Sequence, residues 1–348
     1  MNNLDHFQVG VNLGGWLSQY SRYDLEHFQS FITAADIQRI AVWGMDHVRL
    51  PIDYPVLIED DLKTMKESGL KYLDTLLDWC AKASLGVVLD LHRAPGYSFN
   101  NLESSDLFHN NQAQEGFLSL WETLAKRYAS VQTPDLIFEL LNEVVLPSSD
   151  PWNKLVAEAV QRIRSVDQNH WIMVGGNYYN SITALKDLAI IPDEKIVYTF
   201  HFYEPLPFTH QKAYWVRWLQ AFDRTFDYPM QVTGLGEFLT HHPEFKDDHH
   251  AAHYIDLMMD KAYLQGLFQQ AIDFQAAHHK PLYCGEFGVI ESAPLAGNVR
   301  WNQDLIDLFN QNHIGRAYWS YKAMDFGLVD KDGNLVSEEL LRAVCRRA

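Results

Sequence analysis

The sequence predicts one closed (β/α)8 barrel, the TIM-barrel architecture, over residues 1–348, with a long insertion after the sixth strand. Two observations support this prediction. Eight short apolar or β-branched segments recur along the chain, and longer amphipathic segments separate them. Such alternation is typical of parallel βαβ units. Eight strands close economically around an interior filled with side chains, and barrels of this length usually form a single domain.

The predicted elements follow one another regularly. The strand segments are residues 8–13, 46–51, 85–91, 135–141, 170–175, 195–203, 281–286 and 314–321. The helical segments are residues 33–43, 69–83, 112–130, 151–167, 211–224, 251–278 and 300–312, with a weaker one at 181–188 and a last one at 337–347. Asp150 and Pro151 indicate a helix start, because a capping side chain followed by proline suits a first turn.

The insertion covers residues 204–250, and a connection of that length usually has a function. A doubly wound open sheet is the alternative fold. It would place a glycine-rich phosphate-binding turn of the form G-x-G-x-x-G after the first strand. The segment from Gly10 to Trp16 reads Gly-Val-Asn-Leu-Gly-Gly-Trp and lacks that spacing. The sequence therefore favours the closed barrel.

Composition excludes several classes of protein. The 28 Lys and Arg against 45 Asp and Glu give a net charge of −17, which disfavours nucleic-acid binding. The three cysteines are Cys80, Cys284 and Cys345, too few and too far apart for a disulfide scaffold or a cysteine zinc site. No apolar segment of about 18 residues predicts a membrane span. No signal-peptide pattern is visible near the N-terminus, so a cytoplasmic location is expected, with secretion as the alternative if a leader was removed.

Polar and aromatic side chains collect at the carboxyl ends of six predicted strands. In (β/α)8 barrels these ends form the face on which chemistry is built. The residues at these ends are Arg49, His92, Asn142, Glu143, His201, Tyr203, Glu286 and Trp319. Burying several polar groups in one place costs free energy unless they serve a site. Their convergence therefore indicates a functional site.

Two of these residues, Glu143 and Glu286, would face each other across the barrel mouth from strands four and seven. Glycoside hydrolysis requires such a pair: one acid protonates the departing oxygen, and one carboxylate works on the other face of the sugar. A separation of roughly 5 Å gives retention of configuration, whereas roughly 6.5–9.5 Å leaves room for a water molecule and gives inversion. The sequence predicts the pair of glutamates but does not determine which of the two distances separates their carboxyl groups.

The strand ends resemble glycoside hydrolase family 5, the cellulase-type retaining barrels. Members share an arginine, a histidine, an Asn-Glu pair, a His-x-Tyr motif, a second glutamate and a tryptophan. The matching residues, in the same order, are Arg49, His92, Asn142-Glu143, His201 with Tyr203, Glu286 and Trp319. The similarity runs from the Gly10–Trp16 segment to Trp319. The family usually has proline after its acid/base glutamate, and Val144 occupies that position here.

The resemblance implies a retaining β-glycoside hydrolase that cleaves O-glycosidic bonds of β-linked gluco- or manno-oligosaccharides or polysaccharides without a metal or organic cofactor. Glu143 would be the acid/base, protonated at rest because an ionised Glu286 raises its pKa. Glu286 would be the nucleophile, kept anionic by Arg49 and by a hydrogen bond from Tyr203.

The remaining matched residues would contact the sugar. Asn142 would donate to the 2-hydroxyl, an interaction that strengthens in the transition state. His92 and His201 would bind hydroxyls or orient the carboxylates. Trp319 would form the aromatic floor of the subsite in which the ring distorts.

Further candidates lie around this centre. Tyr178 and Tyr179, just past the fifth strand, and Trp215 in the insertion would stack on the apolar faces of sugar rings. Lys322 and Asp325, soon after Trp319, would either hold sugar hydroxyls or form an ordinary surface ion pair. The insertion would wall off one end of the groove, which favours exo-action on short oligosaccharides.

Alternative interpretations concern the nucleophile and the insertion. Glu237 lies in a second Gly-Glu-Phe segment, but inside the insertion, so Glu286 is favoured. A metal-dependent barrel hydrolase could use the insertion's histidines, although their spacing matches no zinc signature such as H-E-x-x-H. The side chains concerned are His241, His242, Asp247, Asp248, His249, His250 and His253. A solvated loop is the favoured interpretation of this segment.

A non-catalytic carbohydrate-binding barrel is the remaining alternative. Such a protein would typically have lost one of the two carboxylates, and both Glu143 and Glu286 are present. Cys284, close before Glu286, is expected to pack inside the barrel rather than to act in redox chemistry.

Overall fold

A computed structural model of the chain describes residue 4 and residues 6–132 and 135–347. Eight parallel strands form a closed barrel in which every strand pairs with its neighbours in sequence and β8 pairs with β1. The strands are β1 (Val9–Asn12), β2 (His47–Asp53), β3 (Gly86–Arg93), β4 (Leu136–Glu139), β5 (Trp171–Gly175), β6 (Ile196–Phe202), β7 (Leu282–Phe287) and β8 (Gly315–Tyr318). The predicted (β/α)8 barrel is confirmed.

Strand register brings the polar residues to one level of the barrel. Residues that pair across neighbouring strands at this level are Asn12 with Arg49, Asp90 with Glu139, and His201 with Glu286. Paired residues on adjacent parallel strands lie about 5 Å apart. The register therefore places a guanidinium and several carboxylates within contact distance inside one ring of strands.

The opposite end of the barrel interior is apolar. A separate cluster of buried side chains fills it: Phe7, Val88, Ile137, Trp171, Met173, Val197, Tyr283 and Ala317. Its polar contact is a hydrogen bond of 2.6 Å between the Tyr283 hydroxyl and Nε2 of His47. The interior thus divides into a mainly apolar end and a polar end, and the carboxylates that contact Arg49 all lie at the polar end.

Helices surround the barrel. The α-helices are Leu25–Ser30, Ala34–Val42, Tyr54–Leu57, Glu67–Ala83, Asn111–Tyr128, Asp150–Val166, Asn177–Asn180, Leu206–Thr209, Arg217–Phe222, Leu235–His241, Lys261–His278, Leu295–Gln311 and Glu338–Val344. Short 3-10 helices are Leu102–Ser104, Ile182–Asp187, Pro243–Phe245 and Asp248–Tyr254. None of the helices in the described ranges is long and apolar enough to cross a bilayer.

Two helix predictions around the insertion were wrong. The segment 211–224 contains only a six-residue helix, Arg217–Phe222, which ends where Asp223 takes a left-handed conformation (φ 45°). The helix predicted at 251–278 begins ten residues later, at Lys261, because the Asp260 side chain caps it by accepting from the Tyr263 amide at 2.9 Å. Apolar periodicity alone indicated helix here, but local caps and turns decided the boundaries.

Smaller boundary differences occur elsewhere. The helix expected to start after a capping Asp150 has Ser149 at its N-cap and Asp150 in its first turn. The weak pattern at 181–188 is a 3-10 helix, Ile182–Asp187. Several residues of the N-terminal segment on which the expected location depends lie outside the described residues.

The insertion extends beyond its predicted end at residue 250. A two-residue antiparallel pairing, Met230–Gln231 with Met258–Met259, joins its middle to its end. Trp218 and Tyr254 stack inside it, with ring centroids 6.0 Å apart and planes 20° from parallel. The insertion therefore has an apolar interior of its own and returns to the barrel at the helix Lys261–His278.

Candidate active site

Arg49, on β2, lies at the centre of the polar end of the barrel and is completely buried. Its Nε and Nη2 donate to the two carboxylate oxygens of Glu139 at 2.6 and 3.0 Å. Its Nη1 donates to Glu286 at 2.8 Å, and its Nη2 also lies 3.0 Å from Asp90. A guanidinium holds several carboxylates at fixed angles because its donors form a rigid planar fork. Arg49 therefore aligns the acidic residues of three other strands.

Asn12 and Asn142 complete the surroundings of Arg49. Each accepts from the guanidinium through its side-chain oxygen, at 2.9 Å. The Asn12 amide also donates to the carbonyl of Gly285, one residue before Glu286, at 2.9 Å. Asn12 therefore connects β1 to the strand end that carries Glu286.

Glu286 is the better stabilised of the two facing glutamates. One of its oxygens accepts from Arg49, and the other accepts from the Tyr203 hydroxyl at 2.9 Å. Burial raises the pKa of Glu286, while the Arg49 charge and the Tyr203 hydrogen bond act in the opposite direction. Charged and hydroxyl donors both favour an ionised carboxylate. Glu286 is thus placed to be the ionised member of the pair.

Glu143 has a different environment. Its carboxylate contacts Nδ1 of His201 at 2.9 Å. Burial raises the pKa of Glu143 well above its usual range, and the Glu286 charge adds to this effect. The sequence interpretation attributed the raised pKa to Glu286, but removal from water is the larger cause. Burial also holds the pKa of His201 well below its usual range, so the histidine facing Glu143 is neutral.

The two glutamates are close enough to act on one bond. An oxygen of Glu143, an oxygen of Glu286 and a ring nitrogen of His201 all lie within 4.8 Å of one another. Carboxyl groups roughly 5 Å apart are typical of a double displacement with retention, whereas an inverting pair is wider. The distance that the sequence left open therefore falls on the retaining side.

His92 and Trp319 form one wall of the site. Their rings stack with centroids 5.9 Å apart and planes 5° from parallel, and Nδ1 of His92 contacts Asp90 at 2.6 Å. Burial lowers the pKa of His92 to about 4, so this ring is neutral at pH 7. Gly14 provides room for the indole, because a Cβ there would lie 2.8 Å from Trp319. The absence of a side chain at Gly14 thus permits the aromatic wall.

Besides Oδ1 of Asp90, three nitrogen atoms at this centre have no hydrogen-bond partner among the described residues. They are Nε2 of His92, Nδ2 of Asn142 and Nε2 of His201. Buried polar atoms are normally paired, and unpaired ones at a cleft indicate a ligand that supplies the partner. All three belong to residues that the sequence predicts to bind sugar hydroxyls.

The loop after β4 is held without the family's proline. Glu143 adopts a left-handed conformation (φ 39°). The Tyr97 hydroxyl donates to the Glu143 carbonyl at 2.8 Å and accepts from the Val145 amide at 2.9 Å. Val144 is buried, and its carbonyl accepts from the Tyr179 amide at 3.2 Å. Tyr97 therefore bridges the two peptide groups around Val144.

The outer candidates occupy separate positions. Trp215 is 42% exposed and contacts His210 and Phe326, both of which pack against Tyr203. Tyr178 and Tyr179 are 48% and 36% exposed, and both adopt left-handed conformations.

Lys322 and Asp325 are not paired with each other in the described structure. The Lys322 ammonium donates to the Phe31 carbonyl at 3.2 Å and lies 5.0 Å from the Phe31 ring centroid. Asp325 adopts a left-handed conformation, and its carbonyl accepts from the Glu291 amide at 2.7 Å. The structure therefore brings together the eight inner candidates and leaves these two at its margin.

The residues considered as alternatives for the nucleophile, for a metal site and for redox chemistry do not join the catalytic side chains. Glu237 is exposed on the short helix Leu235–His241 of the insertion. The histidines of residues 241–253 form no three-ligand cluster; within the described ranges, Glu143, His201 and Glu286 are the group with such spacing. Cys284 is buried, its thiol donates to the Glu286 carbonyl at 3.2 Å, and burial raises its pKa.

Sequence reasoning missed several residues of the site. Asn12, Asp90 and Glu139 end strands β1, β3 and β4 or lie near those ends, and all three contact Arg49. Their position at strand ends was a usable signal, since polar residues in otherwise apolar strands need partners. Tyr97 lies in a loop, and nothing in the local sequence marks its contact with Glu143.

Comparison with known proteins agrees with this geometry. The family model described as "Cellulase (glycosyl hydrolase family 5)" matches residues 8–325. The chain is 46% identical over 342 residues to Endoglucanase C of Acetivibrio thermocellus, covering 98% of both chains. It is 35% identical over 309 residues to Cellodextrinase A of Ruminococcus flavefaciens, covering 88% of this chain and 83% of the relative.

A solved structure is similar over nearly the whole fold. The mutant form of Thermotoga maritima Cel5A in complex with cellobiose superposes with a TM-score of 0.79 at 25% identity. The match covers 99% of this chain and 98% of that one. The similarity therefore includes the closed barrel together with the strand ends at its mouth.

Proposed function

The chain belongs to glycoside hydrolase family 5 and is a retaining β-glycoside hydrolase, and from this premise we propose that it cleaves β-1,4-linked glucan chains with Glu286 as nucleophile and Glu143 as acid/base. The observation that supports these two roles is the contact set of the pair. Glu286 has two donors, Arg49 and Tyr203, while Glu143 has a neutral histidine.

In the first step, a Glu286 oxygen attacks the anomeric carbon and the bond from that carbon to the leaving oxygen breaks. Glu143 gives its proton to that oxygen, so the leaving sugar departs as a neutral alcohol. The product of this step is a glycosyl ester on Glu286. Formation of the ester removes the negative charge of Glu286, so the pKa of Glu143 falls.

In the second step, the now ionised Glu143 takes a proton from water. The water oxygen attacks the anomeric carbon and the ester bond to Glu286 breaks, which restores both carboxyl groups and retains the anomeric configuration. Arg49 and Tyr203 stabilise the returning carboxylate charge. No redox step or external electron acceptor is needed.

The unpaired polar atoms would bind hydroxyls of the sugar that reacts. Nδ2 of Asn142 is next to Glu143 and suits the 2-hydroxyl, while Nε2 of His92 and of His201 suit other hydroxyls. The Trp319 indole, stacked on His92, offers an aromatic face to the ring. These polar atoms are fixed before substrate binds, which lowers the reorganisation needed in the transition state.

Exposed aromatic side chains on two sides of the pair support cleavage within a chain. Trp215 reaches Glu286 through His210 and Tyr203, whereas the Tyr179 amide contacts the residue after Glu143. Sugars would then bind on both sides of the broken bond. The relatives, an endoglucanase and a cellodextrinase by name, support glucan rather than mannan as substrate. The alternative is the exo-action expected if the insertion closes one end.

Covalent trapping tests the assignment of the nucleophile. A 2-deoxy-2-fluoro-β-cellobiosyl fluoride should inactivate the enzyme by losing fluoride. It should add one 2-deoxy-2-fluorocellobiosyl group to the peptide that contains Glu286. Glu237→Ala is the matched control, since it removes the glutamate of the other Gly-Glu-Phe segment and should leave labelling unchanged. Label on any other residue, or an inverted product by NMR, would contradict the proposal.

End-labelled substrates test the mode of action. Cellohexaose labelled at its reducing end should give several labelled fragments from the first cleavage if the enzyme acts within the chain. A single labelled product shortened by a constant unit would instead support exo-action. Manno-oligosaccharides of the same length serve as the comparison, and faster cleavage of these would contradict the glucan proposal.

A further inference from the structure

Glu204 is a partly buried carboxylate that the proposed mechanism does not use. Both of its oxygens accept from the Tyr254 hydroxyl at 3.0 Å, and one also accepts from the Tyr263 hydroxyl at 3.1 Å. The donors are neutral phenols rather than a lysine or arginine. Burial raises the pKa of Glu204, as expected for a carboxylate withdrawn from water without a full countercharge. We call Glu204, Tyr254 and Tyr263 the Glu204 clasp.

The clasp connects the two ends of the insertion. Glu204 lies where the chain leaves β6, Tyr254 ends the 3-10 helix Asp248–Tyr254, and Tyr263 lies in the first turn of the helix Lys261–His278. The Tyr254 ring also stacks on Trp218 inside the insertion. A single carboxylate therefore joins the start of the insertion to its last turn and to the helix that follows it.

The clasp is adjacent to a residue of the catalytic centre. Tyr203 precedes Glu204 and donates to Glu286 at 2.9 Å. The main chain at this junction is fixed on both sides, since the Tyr203 carbonyl accepts from the Thr209 hydroxyl and the Glu204 carbonyl accepts from the Trp301 indole at 3.0 Å. Because Tyr203 and Glu204 share a peptide group in this anchored stretch, a shift of the Glu204 main chain would move the Tyr203 hydroxyl relative to the nucleophile.

We propose that Glu204 is a positioning residue, which couples docking of the insertion onto the barrel to the hydrogen bond from Tyr203 to Glu286. The inference rests on the proposed role of Glu286 as nucleophile. Because that hydrogen bond favours the ionised carboxylate, its loss raises the pKa of the nucleophile. Activity needs Glu286 ionised, so the acid limb of the kcat/KM profile moves to higher pH.

Several titratable groups face the carboxylates of Glu286 and Glu204. For this test, the groups around Glu286 must keep their environments in the variants. Those around Glu286 are Arg49, Asp90, His92, Glu143, His201 and Tyr203, and those around Glu204 are His250, Tyr254 and Tyr263. The variants below change hydrogen bonds of the clasp and leave every group around Glu286 in place, apart from the calibrating variant at Tyr203.

The experiment compares pH profiles of kcat/KM for the full chain on an aryl β-cellobioside. Tyr203→Phe calibrates the effect and should move the acid limb up by up to about one pH unit. Glu204→Gln should move it in the same direction by about half as much, with a smaller shift for Tyr263→Phe. The double variant Glu204→Gln/Tyr203→Phe should add nothing to Tyr203→Phe alone, because both act through one hydrogen bond.

Tyr228→Phe is the matched control. It removes another tyrosine-to-carboxylate hydrogen bond between the insertion and the barrel helices, from Tyr228 to Asp304 at 3.0 Å, without contact to Tyr203. It should lower Tm and leave the acid limb in place. If Glu204→Gln behaves as Tyr228→Phe does, or if its shift adds fully to that of Tyr203→Phe, Glu204 is structural only and the inference is wrong.

Three further outcomes have distinct consequences for this inference and for the proposed function. Should Glu204→Gln fail to fold, Tyr263→Phe decides the question, because it leaves the Tyr254 donor in place. Should Tyr203→Phe leave the limb unmoved while covalent trapping still labels Glu286, the nucleophile assignment stands and the coupling is wrong. Absence of label on Glu286 would refute the proposed function itself.

Discussion

The two halves of the catalytic centre use the same residue type in opposite ways. In the nucleophile half, Glu286 accepts from the Arg49 guanidinium at 2.8 Å and from the Tyr203 hydroxyl at 2.9 Å. In the acid/base half, Glu143 contacts Nδ1 of His201 at 2.9 Å, and the histidine pKa is held well below its usual range by burial. Both glutamates are withdrawn from water, but only Glu286 is in direct contact with the Arg49 charge.

This difference shows how the barrel gives two glutamates different pKa values although an oxygen of one lies within 4.8 Å of an oxygen of the other. Burial raises the pKa of both carboxyl groups. The Arg49 charge opposes that effect strongly at Glu286, which lies in direct contact with it. The proton held by the pair is therefore expected on Glu143. The chemical roles follow from the neighbours of each glutamate rather than from its own side chain.

The largest expected effect comes from removing the nucleophile, Glu286. Glu286→Gly should lower kcat on aryl β-cellobiosides by at least about 10⁴-fold, because no other carboxylate can form the glycosyl ester. Azide should restore turnover and give an inverted glycosyl azide, which NMR identifies. Glu237→Ala should retain parental activity; if Glu237→Ala is inactive and Glu286→Gly is active, the nucleophile has been assigned to the wrong glutamate.

The next largest effect is expected from removing the acid/base residue, Glu143. Glu143→Ala should lower kcat/KM on cellotetraose by about 10²- to 10⁴-fold, because a sugar leaving group needs a proton. An aryl glycoside with an acidic phenol should lose far less in the first step, which stopped-flow release of the phenol measures. The decline of the parental rate at high pH should disappear with the acid, since that limb reports loss of the Glu143 proton. Equal losses on both substrates would contradict the assignment.

A smaller effect is expected when the cation beside Glu286 keeps its charge but changes its shape. Arg49→Lys keeps the positive charge but loses the planar fork that contacts Glu139 and Glu286 together. We expect about a 10²-fold loss of kcat/KM, a lower Tm and an acid limb at higher pH, because the nucleophile loses a donor. A pH profile and a thermal melt on the same preparation measure all three. An unchanged acid limb would show that Arg49 does not set the nucleophile pKa.

The smallest effects distinguish the outer surfaces of the two halves. Trp215→Ala and Tyr179→Ala should each raise KM for cellohexaose by about 3- to 10-fold, because stacking of one aromatic ring contributes about 1 kcal/mol. Neither should change kcat on a short aryl cellobioside by more than about 2-fold. Exposed Tyr23, far from both surfaces in sequence, provides the control Tyr23→Ala. If KM for the long substrate is unchanged in either variant, that side chain does not contact the chain.

Much of the fold and of the site was determined by the sequence. Alternating apolar strands and amphipathic helices predicted the closed barrel, and all eight strands appear at their predicted positions. Because parallel strands end at one face, polar residues at six strand ends had to converge there, and the structure brings those inner candidates together. Helix boundaries near residues 211 and 251 were wrong, since caps such as Asp260 outweigh apolar periodicity.

Only the tertiary structure decided the distance between the glutamates and the state of each one. Separation depends on how the barrel closes and on strand register, and a pKa depends on loss of water and on neighbours far away in sequence. Arg49 and Glu286 are 237 residues apart, yet they form a contact of 2.8 Å. Local patterns specify which side chains reach the mouth of the barrel; folding specifies which of them touch.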